Sequence, residues 1–282
     1  MLADAIDSLA CPVCRGDLSL PGGVVRCVDG HAFDVARQGY VSLLTGSGVP
    51  GTADTPAMVA AREEFLGAGH FAPLAERLRA LVHDLVRDLV GGGPALVLDA
   101  GAGTGYHLSR VLRPEDVGIA LDVSKHALRR AARAHPRIAA VVADVWRPLP
   151  VKDGRADVVL DVFAPRNAPE FARVLRPGGT LVVVTPTPRH LAPLVETLGL
   201  LSVDEDKDRR VGEALGGHFM EAGHLVEEAR MSLDHRAVAT VAGMGPSAWH
   251  VDPVTLERQV SCLPALTSVE MSCHIYMFRK IA

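Results

Sequence analysis

The sequence predicts an α/β chain: a mostly parallel sheet wrapped by helices, preceded by a small cysteine-bearing β-hairpin module. Three observations carry this. Short Val-rich runs alternate with helical stretches between about residues 95 and 186, the pattern of strands buried on both faces and joined by crossover helices. A glycine-rich turn, DAGAGTG at 99 to 105, directly follows the first of these runs and opens a helix. Ahead of them, three of the five cysteines and a histidine crowd into residues 11 to 31.

The bulk properties set limits. At 282 residues the chain exceeds one average domain. Hydrophobic residues at 48% and charged ones at 22% are ordinary globular usage, but aromatics are only 4%, so Ala, Val and Leu must build the core. A net charge of −4 and a pI near 6.3 do not advertise a nucleic-acid binder. Any such surface has to be a local basic face. No apolar run reaches the roughly 18 residues of a membrane span, and MLADAIDSLACP lacks the basic-then-apolar order of a signal peptide. A cytoplasmic location with no membrane partner is expected. An odd number of cysteines then argues for metal binding or free thiols over a disulfide framework.

Cys11 and Cys14 form a CxxC, and Cys27 is followed by His31. Between the pairs, SLPGGVVRC reads as strand, Gly-Gly turn, strand, which folds the second pair back over the first. Three thiolates and an imidazole make a closed tetrahedral Zn²⁺ site of the structural kind. A thioredoxin-like redox pair and unliganded core cysteines are the competing readings. The first lacks a preceding βαβ unit and the second lacks apolar material to fold around. A zinc-stapled module within residues 1 to 45 follows, with metal in place of a core. Cys262 and Cys273 read as packing residues.

TGSGVPGTADT, residues 45 to 55, is linker chemistry. Residues 46 to 90 then form a linker and helical segment. Its first helix starts at Pro56, capped by Asp54 or Thr55, and breaks at Gly67 and Gly69. Its second runs from Ala72 to Val90 with Leu74, Leu78, Leu81, Leu85 and Leu89 as the core-facing stripe. After GGGP the runs ALVL, VGIALD, IAAVV, ADVVLDVF and GGTLVVVTP are the strands. Helices are expected near 234 to 244 and 252 to 261, and ALTSVEMSCHIYMFRKI alternates like an amphipathic antiparallel strand.

Gly101, Gly103 and Gly105, with Ala102 between, permit a tight turn and let a ligand lie against bare backbone. A dinucleotide fold competes for this motif. Three acidic residues separate the readings. Asp99 precedes the glycines and suits an amino-bearing ligand, Asp122 closes the next strand where a carboxylate can accept both ribose hydroxyls, and Asp144 ends the third where an adenine amino group can donate. Individually, Asp99 also reads as a cap of the turn, and Ser124 after Asp122 as a helix cap. Their joint order describes a methionine-bearing nucleoside. Over about residues 91 to 186 the pattern resembles class I, Rossmann-like S-adenosylmethionine-dependent methyltransferases. That resemblance implies a seven-stranded, mostly parallel sheet in a catalytic domain covering 91 to 282.

The fusion of CxxC and CxxxH to this core, followed by GYVSLL, AREEFLGAGHFAPL, FAPRN, TPRHL and a late AW, is similar to the RlmA family of large-subunit rRNA guanine-N1 methyltransferases over nearly the whole chain. The resemblance implies zinc on Cys11, Cys14, Cys27 and His31, S-adenosylmethionine as cofactor, and a 23S rRNA hairpin in the helix 35 region as partner. It further implies Phe71 and His190 near the cofactor, although Phe71 stands where the family often has Tyr; an aromatic packing plug and a capping histidine are the alternatives. One branch of the family confers resistance to tylosin-type macrolides in Gram-positive producers, and the Ala-, Arg- and Gly-rich composition leans that way.

Guanine N1 carries a proton at neutral pH, so its methylation needs a base or charge stabilisation. It also lies on the Watson–Crick edge, so the nucleotide must be unpaired or flipped. Asp161, in LDVFAPRN, is the candidate catalytic carboxylate; pairing with Arg166 is its alternative. The zinc module would grip the hairpin, yet it holds only Arg15, Arg26 and Arg37 as basic residues. Lys125, Arg129, Arg130, Arg133 and Arg137 make a basic stripe that also reads as a solvated helix face. A small-molecule methyltransferase and a non-catalytic zinc-bearing RNA-binding protein stand as alternatives, and a homodimer as a further partner.

Overall fold

The computed structural model describes residues 1–46, 53–201, 207–249 and 252–281; the middle of the expected linker lies outside them. The chain begins with the short helix α1 (Leu2–Ala5) and a three-stranded antiparallel sheet of β1 (Leu18–Ser19), β2 (Val24–Cys27) and β3 (Ala32–Asp34). Pro21–Gly23 makes the turn between the first two strands, at the expected Gly-Gly position. The next strand, β4 (Tyr40–Ser42), leaves this module.

Two helices follow the linker. In α2 (Pro56–Gly67) the Thr55 hydroxyl accepts from the Met58 amide at 3.2 Å, so Thr55 is the cap and Pro56 occupies the first turn. α3 (Ala72–Val90) has the expected bounds. Its buried line, however, is Leu74, Leu78, Val82 and Val86, with Leu81 and Leu85 packed at the flank. The line follows the i, i+4 ridge because a helix crossing a twisted sheet turns its contact face along its length.

The Val-rich runs become β5 (Leu96–Ala100), β6 (Val117–Asp122), β7 (Ile138–Val142), β8 (Ala156–Val162) and β9 (Leu175–Pro186). Between them lie α4 (Tyr106–Val111), α5 (Lys125–Ala134) and α6 (Ala168–Val174). Then come α7 (Ala192–Leu198), α8 (Lys207–Leu215), β10 (Phe219–Leu233), α9 (His235–Gly243), α10 (Pro253–Ser261) and β11 (Thr267–Lys280). The main sheet runs β10-β11-β9-β8-β5-β6-β7-β4. Strands β4 to β9 pair in parallel, and β11 is antiparallel to both β9 and β10.

Seven of these strands make the expected sheet. The eighth, β4, comes from the segment assigned by sequence to the zinc module, and pairs Tyr40, Val41 and Ser42 with Ala140, Val141 and Val142. Three residues are too few to read as a strand; β7 supplies the partner that makes them one. β10 also escapes the sequence reading, because FMEAGHLVEEARMSL has no clean alternation and its register slips at Glu221/Gly223. It is an edge strand with one face largely open, so packing does not impose a pattern on it.

The sheet is covered on both faces. One core packs Leu74, Leu78, Leu108 and Leu128 against it, and the other packs Leu9, Phe171 and Val25. The N-terminal module therefore docks on the main sheet and does not hang from it. Ala10 N donates to Pro150 O at 3.1 Å and Lys152 N to Ser8 O at 2.9 Å. The Arg15 guanidinium donates to the carbonyls of Leu149 at 2.7 Å and Val151 at 3.0 Å. Arg15 is thus a structural clamp, leaving Arg26 and Arg37 as the module's basic side chains. Cys273 is buried as expected, whereas Cys262 is exposed at the end of α10. Among the described residues no helix is long and apolar enough to cross a membrane.

Candidate functional site

The metal cluster is local to the N-terminal module. The CxxC turn and the β2–β3 hairpin bring Cys11, Cys14, Cys27 and His31 together, with all four donor atoms within 4.8 Å of one another. Sγ of Cys11 lies 3.6 Å and Sγ of Cys27 3.2 Å from His31 Nδ1, and the Cys14 and Cys27 sulfurs are 3.8 Å apart. Around a tetrahedral Zn²⁺, bonds of about 2.0 to 2.3 Å put ligand atoms roughly 3.3 to 3.8 Å apart, so the set fits that ion. Asp29 and the neighbouring sulfurs push the Cys14 thiol up to about 12. A cation at the centre removes that obstacle to thiolate formation.

The second site is a cavity of about 420 Å³ at the carboxyl ends of β5, β8 and β9, beside the point where strand order reverses between β5 and β8. Open α/β sheets bind ligands at such points. The turn after β5 is held from behind: Gly101 N and Ala102 N donate to Leu121 O at 2.8 and 2.9 Å, and Gly103 N donates to Asp122 Oδ2 at 2.8 Å. Gly101 has φ +86°, and a Cβ there would meet Ala164 Cβ at 2.5 Å. Both backbone conformation and packing demand glycine.

Asp99 lies at the floor. It is buried, its Oδ1 has no hydrogen-bond partner, and burial together with the Asp122 charge pushes its carboxyl up to about 7. Asp122 accepts from Ser124 N at 2.7 Å as well as from Gly103 N. Burial raises its pKa, and these hydrogen bonds oppose that rise. A carboxylate desolvated this far is waiting for a donor or a cation.

The cavity wall contains six of the residues singled out by sequence: Phe71, Asp99, Gly101, Ala102, Gly103 and His190. Gly105 packs behind the turn against Ala131. Asp122 stands directly behind Gly103, and Asp144 lies farther along the sheet edge, accepting from Trp146 N at 3.0 Å and 3.5 Å from Arg147 Nε. Asp161 departs from its expected place. It is fully buried at the end of β8, outside the cavity wall, with Arg166 Nε 3.9 Å from its Oδ1. Side chains alternate along a strand, so Asp161 shares the Val159 face of the sheet; Arg166 is the group that reaches the cavity.

Several wall residues were given no role by the sequence analysis. Phe163 has φ +56°, a left-handed conformation unusual for an aromatic residue, and is 42% exposed. Its ring lies 6.3 Å from Phe71 and 6.0 Å from His190, and those two are 5.7 Å apart. His107 is kept neutral, its pKa pushed down to about 4 by burial and by Arg110 and Arg62. Arg62 reaches the turn from α2.

The expected basic stripe does not form one free face. Arg130 Nε donates to Glu63 at 2.8 Å, and the Arg137 guanidinium donates to the carbonyls of Asp116 and Glu115 at 3.0 and 3.1 Å.

Comparison with known proteins gives this geometry a family. Residues 9–45 match the family described as RlmA, N-terminal, a zinc ribbon, and residues 97–179 match a methyltransferase domain family. A Streptomyces fradiae protein named 23S rRNA (guanine(748)-N(1))-methyltransferase is 50% identical over 283 residues, covering all of both chains. The chain belongs to the RlmA family of 23S rRNA (guanine-N1-)-methyltransferases. A Micromonospora griseorubida relative assigned the same type of rRNA methylation is 49% identical over the full length of both chains. One from Bacillus subtilis is 29% identical over 93% of this chain and 94% of its own.

An RlmA-family cleft must seat S-adenosylmethionine, and these residues fit it. The orphaned Asp99 oxygen suits an ammonium group, the bare Gly101 turn leaves room for the ligand, and the cavity lies within the size range of small-molecule sites. Zinc is the metal of the ribbon.

Three outcomes follow from this geometry. Cys27→Ser abolishes stoichiometric zinc in the purified protein, read by metal analysis, and lowers its melting temperature. Equal zinc in variant and parent would refute the ligand set. Gly101→Ala destabilises the fold by about 1–3 kcal/mol and removes S-adenosylhomocysteine binding, read by thermal unfolding and calorimetry. Finally, because a raised acid pKa means the carboxylate forms only above about pH 7, cofactor affinity falls as pH drops through that value, by at most about tenfold per pH unit. Asp99→Asn flattens this profile; an unchanged profile would show that another group titrates.

Proposed function

We infer that this chain transfers the methyl group of S-adenosylmethionine to N1 of a guanine in 23S rRNA. The observation that supports it most is the joining, in one rigidly docked chain, of a zinc ribbon and a cleft whose only described wall carboxylate is the orphaned Asp99. The end-to-end match to the S. fradiae enzyme favours the equivalent of guanine 748, within the helix 35 hairpin, with resistance to tylosin-type macrolides as the physiological consequence. Such a reaction belongs in the cytoplasm.

When bound, the cofactor supplies an electrophilic methyl on a sulfonium centre. The chain's part is to bind and orient. Asp99 takes the ammonium of the methionine tail, Asp122 the ribose hydroxyls, and Asp144 the adenine amino group. Phe71, Phe163 and His190 form an aromatic wall against which a flipped guanine can stack. As N1 loses its proton to solvent, negative charge spreads onto O6. Arg166, whose guanidinium is steadied by Asp161 from behind, is placed to stabilise that charge. On this reading Asp161 is a positioning residue. Holding N1 and the methyl carbon in line accounts for most of the remaining barrier reduction.

The zinc ribbon serves as the gripping element for the hairpin. Its clamped attachment through Arg15 fixes the distance between the grip and the cleft, and Arg26 and Arg37 remain for phosphate contacts.

Incubation with labelled S-adenosylmethionine and unmodified 23S rRNA is expected to give label in RNA and one new reverse-transcription stop at a guanine of the helix 35 region. Label confined to a small molecule selects the metabolite methyltransferase, and cofactor binding without transfer selects a binding protein; either overturns this reading.

A further inference from the structure

The cofactor cleft carries a cation that neither the sequence motifs nor the comparisons assign. Arg62, on α2, enters the wall from the side opposite the sheet, with its guanidinium 3.1 Å from where a Cβ on Gly103 would lie. Its Nη1 donates to the Asp54 carboxylate, and its Nη2 donates to Met244 O at 2.8 Å. The Asp54 backbone is itself fastened, its carbonyl accepting from Ser124 Oγ at 3.0 Å. Both side chains of the ion pair are only about one-fifth exposed, at 23% and 19%.

A methionine tail is a zwitterion. Its ammonium needs an anion and its carboxylate needs a cation, about one side-chain width apart. The two charged wall groups beside the glycine turn have those opposite signs: Asp99 on the sheet side and Arg62 on the helix side. Arg166 also lines the cavity, but its Nε lies 3.9 Å from the Asp161 carboxylate, an anion at the β8 end. The partner that Arg62 already has is a carboxylate, the same chemical group the donor would bring. The Asp54 charge also acts on Asp122, opposing its ionisation, so this carboxylate stands where it is electrostatically unwelcome as well as where it mimics a ligand.

We propose that Arg62 binds the amino-acid carboxylate of the methyl donor, and that Asp54 is an intramolecular stand-in for that carboxylate which the donor displaces. This rests on the S-adenosylmethionine reading above and adds a competing internal ligand to it. Displacement exchanges one carboxylate for another on a guanidinium, a bidentate-capable donor matched to that geometry. Cofactor affinity is thereby set below what the cleft alone would give.

The test compares two ligands that share the nucleoside: S-adenosylhomocysteine, which has the amino-acid tail, and 5′-methylthioadenosine, which lacks it. Both are titrated by calorimetry into the full-length protein. Arg62→Ala is expected to weaken S-adenosylhomocysteine by roughly tenfold to a hundredfold while leaving methylthioadenosine within about twofold, which also shows that the variant is folded. Asp54→Asn is expected to tighten S-adenosylhomocysteine severalfold with no change for methylthioadenosine. Equal losses for both ligands in Arg62→Ala, no loss for either, or weaker S-adenosylhomocysteine binding in Asp54→Asn would overturn the proposal by reducing the pair to a helix fastening. If the parent protein binds neither ligand, the methyl-donor reading falls along with it.

Discussion

Two carboxylates buried at the ends of adjacent parallel strands are the constraint around which this molecule is arranged. Asp99 lies at the end of β5 and Asp122 closes β6; both are desolvated, and the Asp122 charge further opposes ionisation of Asp99. Water would resolve this at once, but the turn, α2 and the aromatic wall keep much of it out. The protein answers only half of the debt: Asp122 receives two backbone amides, while one oxygen of Asp99 receives nothing. An unanswered buried acceptor is expensive in isolation, and it is tolerated where a ligand completes it. The glycine turn is bare for a related reason, since a side chain at Gly101 would collide with Ala164 and fill the space the ligand needs.

The zinc ribbon solves a different problem by similar logic. Its apolar side chains, such as Leu9, Leu18 and Val25, are too few for an independent core and pack instead onto the main sheet. Metal ligation closes the outer end of the module while β4 ties its inner end to β7. Ser42 and Asp122 flank the same residue, Val142, so only β7 separates the strand leaving the ribbon from the strand that ends in Asp122. The module and the cleft are thus joined through hydrogen-bonded backbone.

Much of this was legible in the residues themselves. The CxxC and CxxxH spacing pointed to the four side chains that the fold brings together, because a hairpin of that length has few ways to return. Asp99 and the glycines announced the cleft because strand, turn and helix follow one another without interruption. What escaped was whatever depended on a distant partner. Arg62 is unremarkable within AREEFL until α2 lies over the turn, and Phe163 shows its strained backbone only once β8 has ended against Val184. Arg15, one of the module's three basic residues, is a clamp onto the carbonyls of Leu149 and Val151. Asp161 looked like a base and lies on the other face of its strand, since a one-residue shift in position exchanges the two faces of a sheet.

Local spacing alone therefore determined the metal donor set, the order of strands and helices through the catalytic core, and the chemical class of the ligand, because each depends on residues within a few turns of one another. Tertiary structure decided which charged groups face the cleft, which are consumed in fastening one element to another, and where the eighth strand comes from. Those outcomes depend on distance through space and on competition for the same partner, as when Arg62 donates both to Asp54, eight residues away in the sequence, and to the carbonyl of Met244, 182 residues away.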